Sequence, residues 1–140
     1  MVGILVVTHG NFGVELVKSA ELIVGEQKNC KAIGLFPGNT IEEFKLNILN
    51  EAKSLDEGDG VLIFADLYGG TPFNSVVLNM NEFEQANVSI ECIIGVNLPM
   101  ILEAFSSRSF LQLEELKAQC LNVGLESIKD LKQQLSNYKY

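Results

Sequence analysis

The chain has 140 residues, enough for one domain with a substantial core, and its 47% hydrophobic and 20% charged content is that of a globular protein and argues against disorder. Ten Lys and Arg stand against eighteen Asp and Glu, a net charge of -8, which disfavours nucleic acid and anionic lipid as partners because either would need clustered basic residues. Cys30, Cys92 and Cys120 make no CxxC pair, so neither a disulfide framework nor a zinc site is suggested and they read as small buried hydrophobes. The first apolar run is too short for a bilayer span and residues 1–8 carry no basic flank or cleavage pattern. The expected location is the cytoplasm.

Ile4 to Val7 is a continuous apolar run with β-branched residues, the pattern of a strand buried on both faces of a parallel sheet. From Val14 to Val24 apolar residues recur at helical spacing, and Gly25 is placed as the stop. Lys31 to Phe36 reads as a second strand, broken by Pro37 and Gly38; Thr40 with Glu43 predicts a capping box at the head of a helix reaching about Ser54. A turn over Glu57 to Gly60 leads into a third buried strand, Gly60 to Ala65, and Thr71 with Pro72 predicts the N-cap and first-position proline of a helix reaching about Met80. Val88 to Val96 is a fourth strand. Pro99 to Phe105 and two segments within residues 112–135 have a helical pattern, while Cys120 to Gly124 fits either a helix or a short edge strand. Alternating strands and helices predict a single α/β domain over residues 1–140, doubly wound on a mainly parallel sheet. Ligands in such sheets sit beyond the carboxyl ends of the strands, where the winding reverses.

The only histidine, His9, falls just past the first strand, and Asp66 falls at the corresponding end of the third. Adjacent strands would bring the imidazole and the carboxylate together. A carboxylate that accepts the Nδ1 proton fixes the tautomer and leaves Nε2 with a free lone pair, a directed nucleophile. After Asp66 comes LYGGTPFN, in which Gly69 and Gly70 permit close backbone approach and Thr71 opens a helix whose free amides favour an anion such as phosphate. Taken singly, each feature has a plain structural reading: an incidental histidine, a capping aspartate, a turn. Their coincidence at one sheet edge is the signal.

THG at residues 8–10, ADLYGGTPFN at 65–74 and GVNLPM at 95–100 resemble the motifs of the mannose-family enzyme IIA domain of the bacterial phosphoenolpyruvate-dependent sugar phosphotransferase system. The similarity runs from residue 2 to about residue 130, with the three motifs in order. The resemblance implies a phosphoryl carrier in which His9 accepts phosphate at Nε2 from the phosphocarrier protein HPr and passes it to enzyme IIB, with Asp66 orienting the ring. It implies a parallel sheet in order 2-1-3-4, a fifth, antiparallel edge strand exchanged between subunits, and a homodimer. It further implies a cytoplasmic subunit, peripheral to the membrane permease components it serves indirectly and separate from any IIB domain. In-line exchange between two imidazoles needs positioning and charge stabilisation, so no cofactor or metal is expected.

Position by position, His9, Asp66 and Thr71 match the family's phosphorylated histidine, orienting aspartate and hydroxyl residue, and Gly69 and Gly70 match its glycines. Leu67 departs from the threonine that some relatives carry, leaving only its amide as a donor to the phosphoryl group. Tyr68 is expected at the site rim or an interface. Asn97 and Pro99 are expected either at that rim or simply as a turn residue and a helix start. Two other readings share the same residues: the IIA-like subunit that serves dihydroxyacetone kinase, and a regulatory module whose phosphorylation controls a partner's binding.

Overall fold

The computed structural model describes residues 1–138; the last two positions of the single domain expected over 1–140 lie outside the described residues. Strands β1 (Gly3–His9), β2 (Cys30–Leu35), β3 (Val61–Ala65) and β4 (Ile90–Ile94) form one parallel sheet in the order β2-β1-β3-β4. Helices α1 (Phe12–Val24), α2 (Ile41–Leu55), α3 (Thr71–Leu78), α4 (Met80–Gln85), α5 (Leu98–Ser107), α6 (Leu113–Glu126) and α7 (Leu131–Ser136) connect and follow the strands. The α/β architecture and the strand order agree with what the pattern and the resemblance led us to expect.

The unbroken apolar run of β1 has a direct cause. Ile4 and Val6 face a core shared with Leu16 and Ala20 of α1, Ile101 of α5 and Leu116 of α6. Leu5 and Val7 face the opposite core, shared with Phe44 and Ile48 of α2 and Val76 of α3. Both faces of the strand are therefore dry, and each fully buried aliphatic side chain contributes roughly 1.5–3 kcal/mol. β2 and β3 flank β1 on either side, so the winding reverses between β1 and β3 and their following loops open a crevice there.

Capping follows the sequence at two helices and departs from it at a third. Thr40 Oγ1 accepts the Glu43 amide at 3.1 Å at the head of α2, and Gly25 ends α1 with a φ of 94°. At α3 the N-cap is Gly70, not Thr71, and the Thr71 side chain makes no capping bond. The reason is the turn before it: Gly69 takes a φ of 79°, Gly70 is extended, and Thr71 is already helical, with Pro72 behind it. The helix also stops at Leu78, where the buried Asn79 turns its amide to the Lys45 carbonyl at 2.8 Å before α4 begins.

Cys120 to Gly124 lies inside α6. Gly124 sits flush against Met100 of α5, a closeness that any side chain at 124 would prevent. The antiparallel edge strand has no counterpart among the described residues of this single chain, and the sheet there has four strands.

At the amino ends of the strands, Arg108 is buried, and its guanidinium donates to the carbonyls of Val2, Lys28 and Asn29 and to Gln27 Oε1. Burial lowers its pKa from the ordinary arginine value. Among the described residues no helix is long and apolar enough to cross a membrane.

Candidate active site

The register Val7↔Ala65 between β1 and β3 carries the next residues of each strand to one edge. His9 stands there with its side chain half-exposed, while the Asp66 carboxylate is mostly buried at 12% exposure. Nδ1 of His9 lies 2.8 Å from Asp66 Oδ2, and the main-chain N–H of His9 donates to that same oxygen at 2.9 Å. Asp66 Oδ1 is buried and finds no partner among the described residues. A carboxylate already accepting a backbone N–H is an acceptor towards the ring too, so Nδ1 carries the hydrogen and Nε2 keeps its lone pair.

On the Nε2 side the chain leaves room. A Cβ on Gly70 would stand 2.9 Å from His9 Cε1 and 3.5 Å from Nε2, so the imidazole rests against a backbone with no side chain. The first intrahelical bond of α3 runs from the Asn74 amide to the Gly70 carbonyl at 2.9 Å, and the Gly70 amide is used by Leu67 O at 3.3 Å. Among the described residues the Thr71 and Phe73 amides have no carbonyl acceptor, and Pro72 has no N–H to offer. Two free donors, the positive end of the helix dipole and the partly buried Thr71 therefore follow directly on Gly70, the residue that packs against the ring. The Asn74 side chain braces the turn by donating to the Gly69 carbonyl at 3.2 Å.

Leu67 and Tyr68 are strongly exposed, and the Tyr68 ring leans on Phe73 with centroids 5.0 Å apart. Between this loop and β4 lies a hollow of about 470 Å³ walled by Asp66, Leu67, Tyr68, Cys92, Ile94 and Leu121. Asn97 is otherwise engaged. Its Oδ1 accepts the Met100 amide at 3.1 Å and its Nδ2 donates to the Gly124 carbonyl at 3.1 Å, so it caps α5 and ties it to α6. Pro99 occupies the first turn of that helix. A larger hollow of about 800 Å³ lies at the amino ends of the strands, around Gly58, Ser89 and Arg108. The guanidinium beside it is already bonded.

Two neighbours of the site were given no role by sequence reasoning, although Thr8 stands in the THG motif. Thr8 is fully buried, its hydroxyl accepting the Gly13 amide at 2.8 Å and donating to the His9 carbonyl at 3.1 Å. Gly34 of β2 lies so close to Gly10 that a Cβ there would run into the Gly10 carbonyl. The available signal for Thr8 was a hydroxyl closing an otherwise apolar strand. Gly34 gave none, because a close approach between separate elements has no local pattern. Among the described residues no group of three His, Cys, Asp or Glu side chains could hold a metal ion.

A family model described as "PTS system fructose IIA component", EIIA-man, matches residues 3–121. The chain belongs to the EIIA-man family. This EIIA-man chain is 34% identical over 138 residues to the PTS system mannose-specific EIIAB component of Escherichia coli, covering 94% of the chain and 40% of that relative, so it spans well under half of the longer protein. To the PTS system fructose-specific EIIA component of Bacillus subtilis it is 31% identical, covering 99% of the chain and 92% of the relative. The crystal structure of the phosphotransferase system component EIIA from Streptococcus agalactiae superposes with a TM-score of 0.84 at 30% identity, covering 95% of this chain and 99% of that one. Over most of its length this EIIA-man chain is thus similar to proteins described as IIA components of sugar phosphotransferase systems.

Proposed function

We propose that His9 is the residue that carries the phosphoryl group, and that residues 1–140 act as one IIA domain. Nε2 attacks the phosphorus of a phosphohistidine on HPr, the donor's P–N bond breaks, and the donor imidazole leaves with the electron pair. The product is His9 with phosphorus on Nε2 and hydrogen on Nδ1, a ring that bears positive charge. Asp66 Oδ2, 2.8 Å from Nδ1, balances that charge. The free amides of Thr71 and Phe73 and the Thr71 hydroxyl receive the phosphoryl oxygens, and the Leu67 amide is a further donor. The reverse sequence delivers the group to a histidine of enzyme IIB. No bond in this exchange calls for a metal or cofactor.

The observation that carries the reading is the His9–Asp66 bond with Nε2 turned to the space that Gly70 leaves open. The same reading makes the protein a cytoplasmic homodimer working beside a membrane permease. Uncovered Leu125 and Ile128 near the end of α6 are consistent with a second copy. Incubation with phosphoenolpyruvate, enzyme I and HPr tests it: one label per chain, acid-labile and alkali-stable, lost in His9→Ala and discharged by IIB. Label that survives in His9→Ala sinks the assignment. Discharge by dihydroxyacetone kinase in place of IIB redirects it to that acceptor.

A further inference from the structure

We infer that Thr8 is a positioning residue for the His9 imidazole, a role that rests on the relay reading for its catalytic consequence but not for its geometry. Helix α1 begins without help from its own cap: Asn11 makes no side-chain capping bond, although the first-turn amides of a helix need acceptors. Thr8 supplies one from the preceding strand. Its buried hydroxyl accepts the Gly13 amide at 2.8 Å and passes its own hydrogen to the His9 carbonyl at 3.1 Å. One oxygen thereby joins the last inward residue of β1, the peptide that carries His9, and the first turn of α1.

The rest of the turn is held to β2. The Gly10 amide donates to the Leu35 carbonyl at 2.8 Å, Gly10 takes a φ of 53°, and the missing side chain of Gly34 lets the Gly10 carbonyl settle against the sheet. This matters because His9 uses one acceptor twice. Its main-chain N–H and its Nδ1 meet Asp66 Oδ2 at 2.9 and 2.8 Å, a pairing possible for a narrow range of backbone positions. Thr8 holds the same residue's backbone through its carbonyl, as Asp66 holds it through its amide. Without the hydroxyl, the Gly13 amide is left unpaired in a buried place and the turn must shift to find it a partner. A shift of a fraction of an ångström separates Nδ1 from Oδ2 and frees the ring to exchange tautomers.

Because the chain has one histidine, imidazole ¹⁵N NMR reads that ring without assignment. At a pH where the ring is neutral, the wild type should show hydrogen on Nδ1 alone. Thr8→Val, folded by circular dichroism, should show a mixture of both tautomers and a kcat for transfer from phospho-HPr lower by on the order of tenfold at unchanged KM. Thr8→Ser, which keeps the hydroxyl, should restore the spectrum and the rate. Should Thr8→Val not fold, Thr8→Cys, with its weak acceptor, carries the same two readings. A folded Val or Cys variant with the wild-type tautomer and rate overturns the inference, as does a Ser variant that fails to rescue. A wild type that takes no label overturns the relay instead, and the nitrogen spectra then judge Thr8 alone.

Discussion

Asp66 holds His9 twice with a single atom: Oδ2 accepts the imidazole Nδ1 at 2.8 Å and the main-chain amide at 2.9 Å. Ring and backbone are thus fixed by the same group, which makes orientation and charge support separable by substitution. Asp66→Asn keeps an acceptor oxygen for both donors and removes the negative charge. Transfer from phospho-HPr should fall by roughly a hundredfold, while the thermal midpoint stays close to that of the wild type. A variant that folds normally and transfers at the wild-type rate would remove Asp66 from the mechanism.

Gly70→Ala addresses the other nitrogen. The Gly70 backbone has an ordinary φ of -76°, so alanine brings no backbone strain, and stability should change by less than about 1 kcal/mol. Its methyl group would press on His9 Cε1 and fill the approach to Nε2. We expect transfer to drop roughly a hundredfold from misplacement of the reacting atom. Equal stability with equal rate would mean that the space beside the ring is not used.

Asn97 should separate in the opposite sense. Asn97→Ala removes the cap on α5 and its tie to the Gly124 carbonyl, which the Ser127 hydroxyl still serves, a loss of about 1–2 kcal/mol. Denaturant unfolding should register it, and transfer by the folded protein should be unaffected. A slowed transfer at full stability would return Asn97 to the site rim.

The thiols of Cys30, Cys92 and Cys120 are each pushed up from 9.0 to about 12 by burial. The native chain should therefore consume almost no iodoacetamide at pH 8, and three equivalents when unfolded. Since the folded state keeps protons that the unfolded chain gives up above pH 9.0, this contribution to stability is intact below that pH and declines as pH rises towards 12. Unfolding midpoints measured from pH 8 to 11 should fall, and less steeply in Cys30→Ala/Cys92→Ala.

Much of the fold was legible because its signals are local. The double-sided burial of β1 shows as an unbroken apolar run, and the Thr40 cap shows as a spacing of three to Glu43. His9 and Asp66 were legible as a pair because strand ends in a parallel sheet share an edge. What was illegible depends on contacts between distant segments. Thr71 looks like a cap until Gly69 turns the chain one residue earlier, and Cys120 to Gly124 looks indifferent until Gly124 meets Met100. Asn97 sits in a motif beside the site, yet its side chain turns to α6.

The buried Arg108 rivets the chain at the root of the sheet, gathering Val2, Lys28 and Asn29 onto one guanidinium at the end of the strands opposite His9. Foldability is anchored at that root, whereas the crest is made of exposed loops such as Leu67–Tyr68 that contribute little to the core. Substitutions in the crest can therefore accumulate while the root stays untouched, so a scaffold of this build can take on new surfaces without being redesigned.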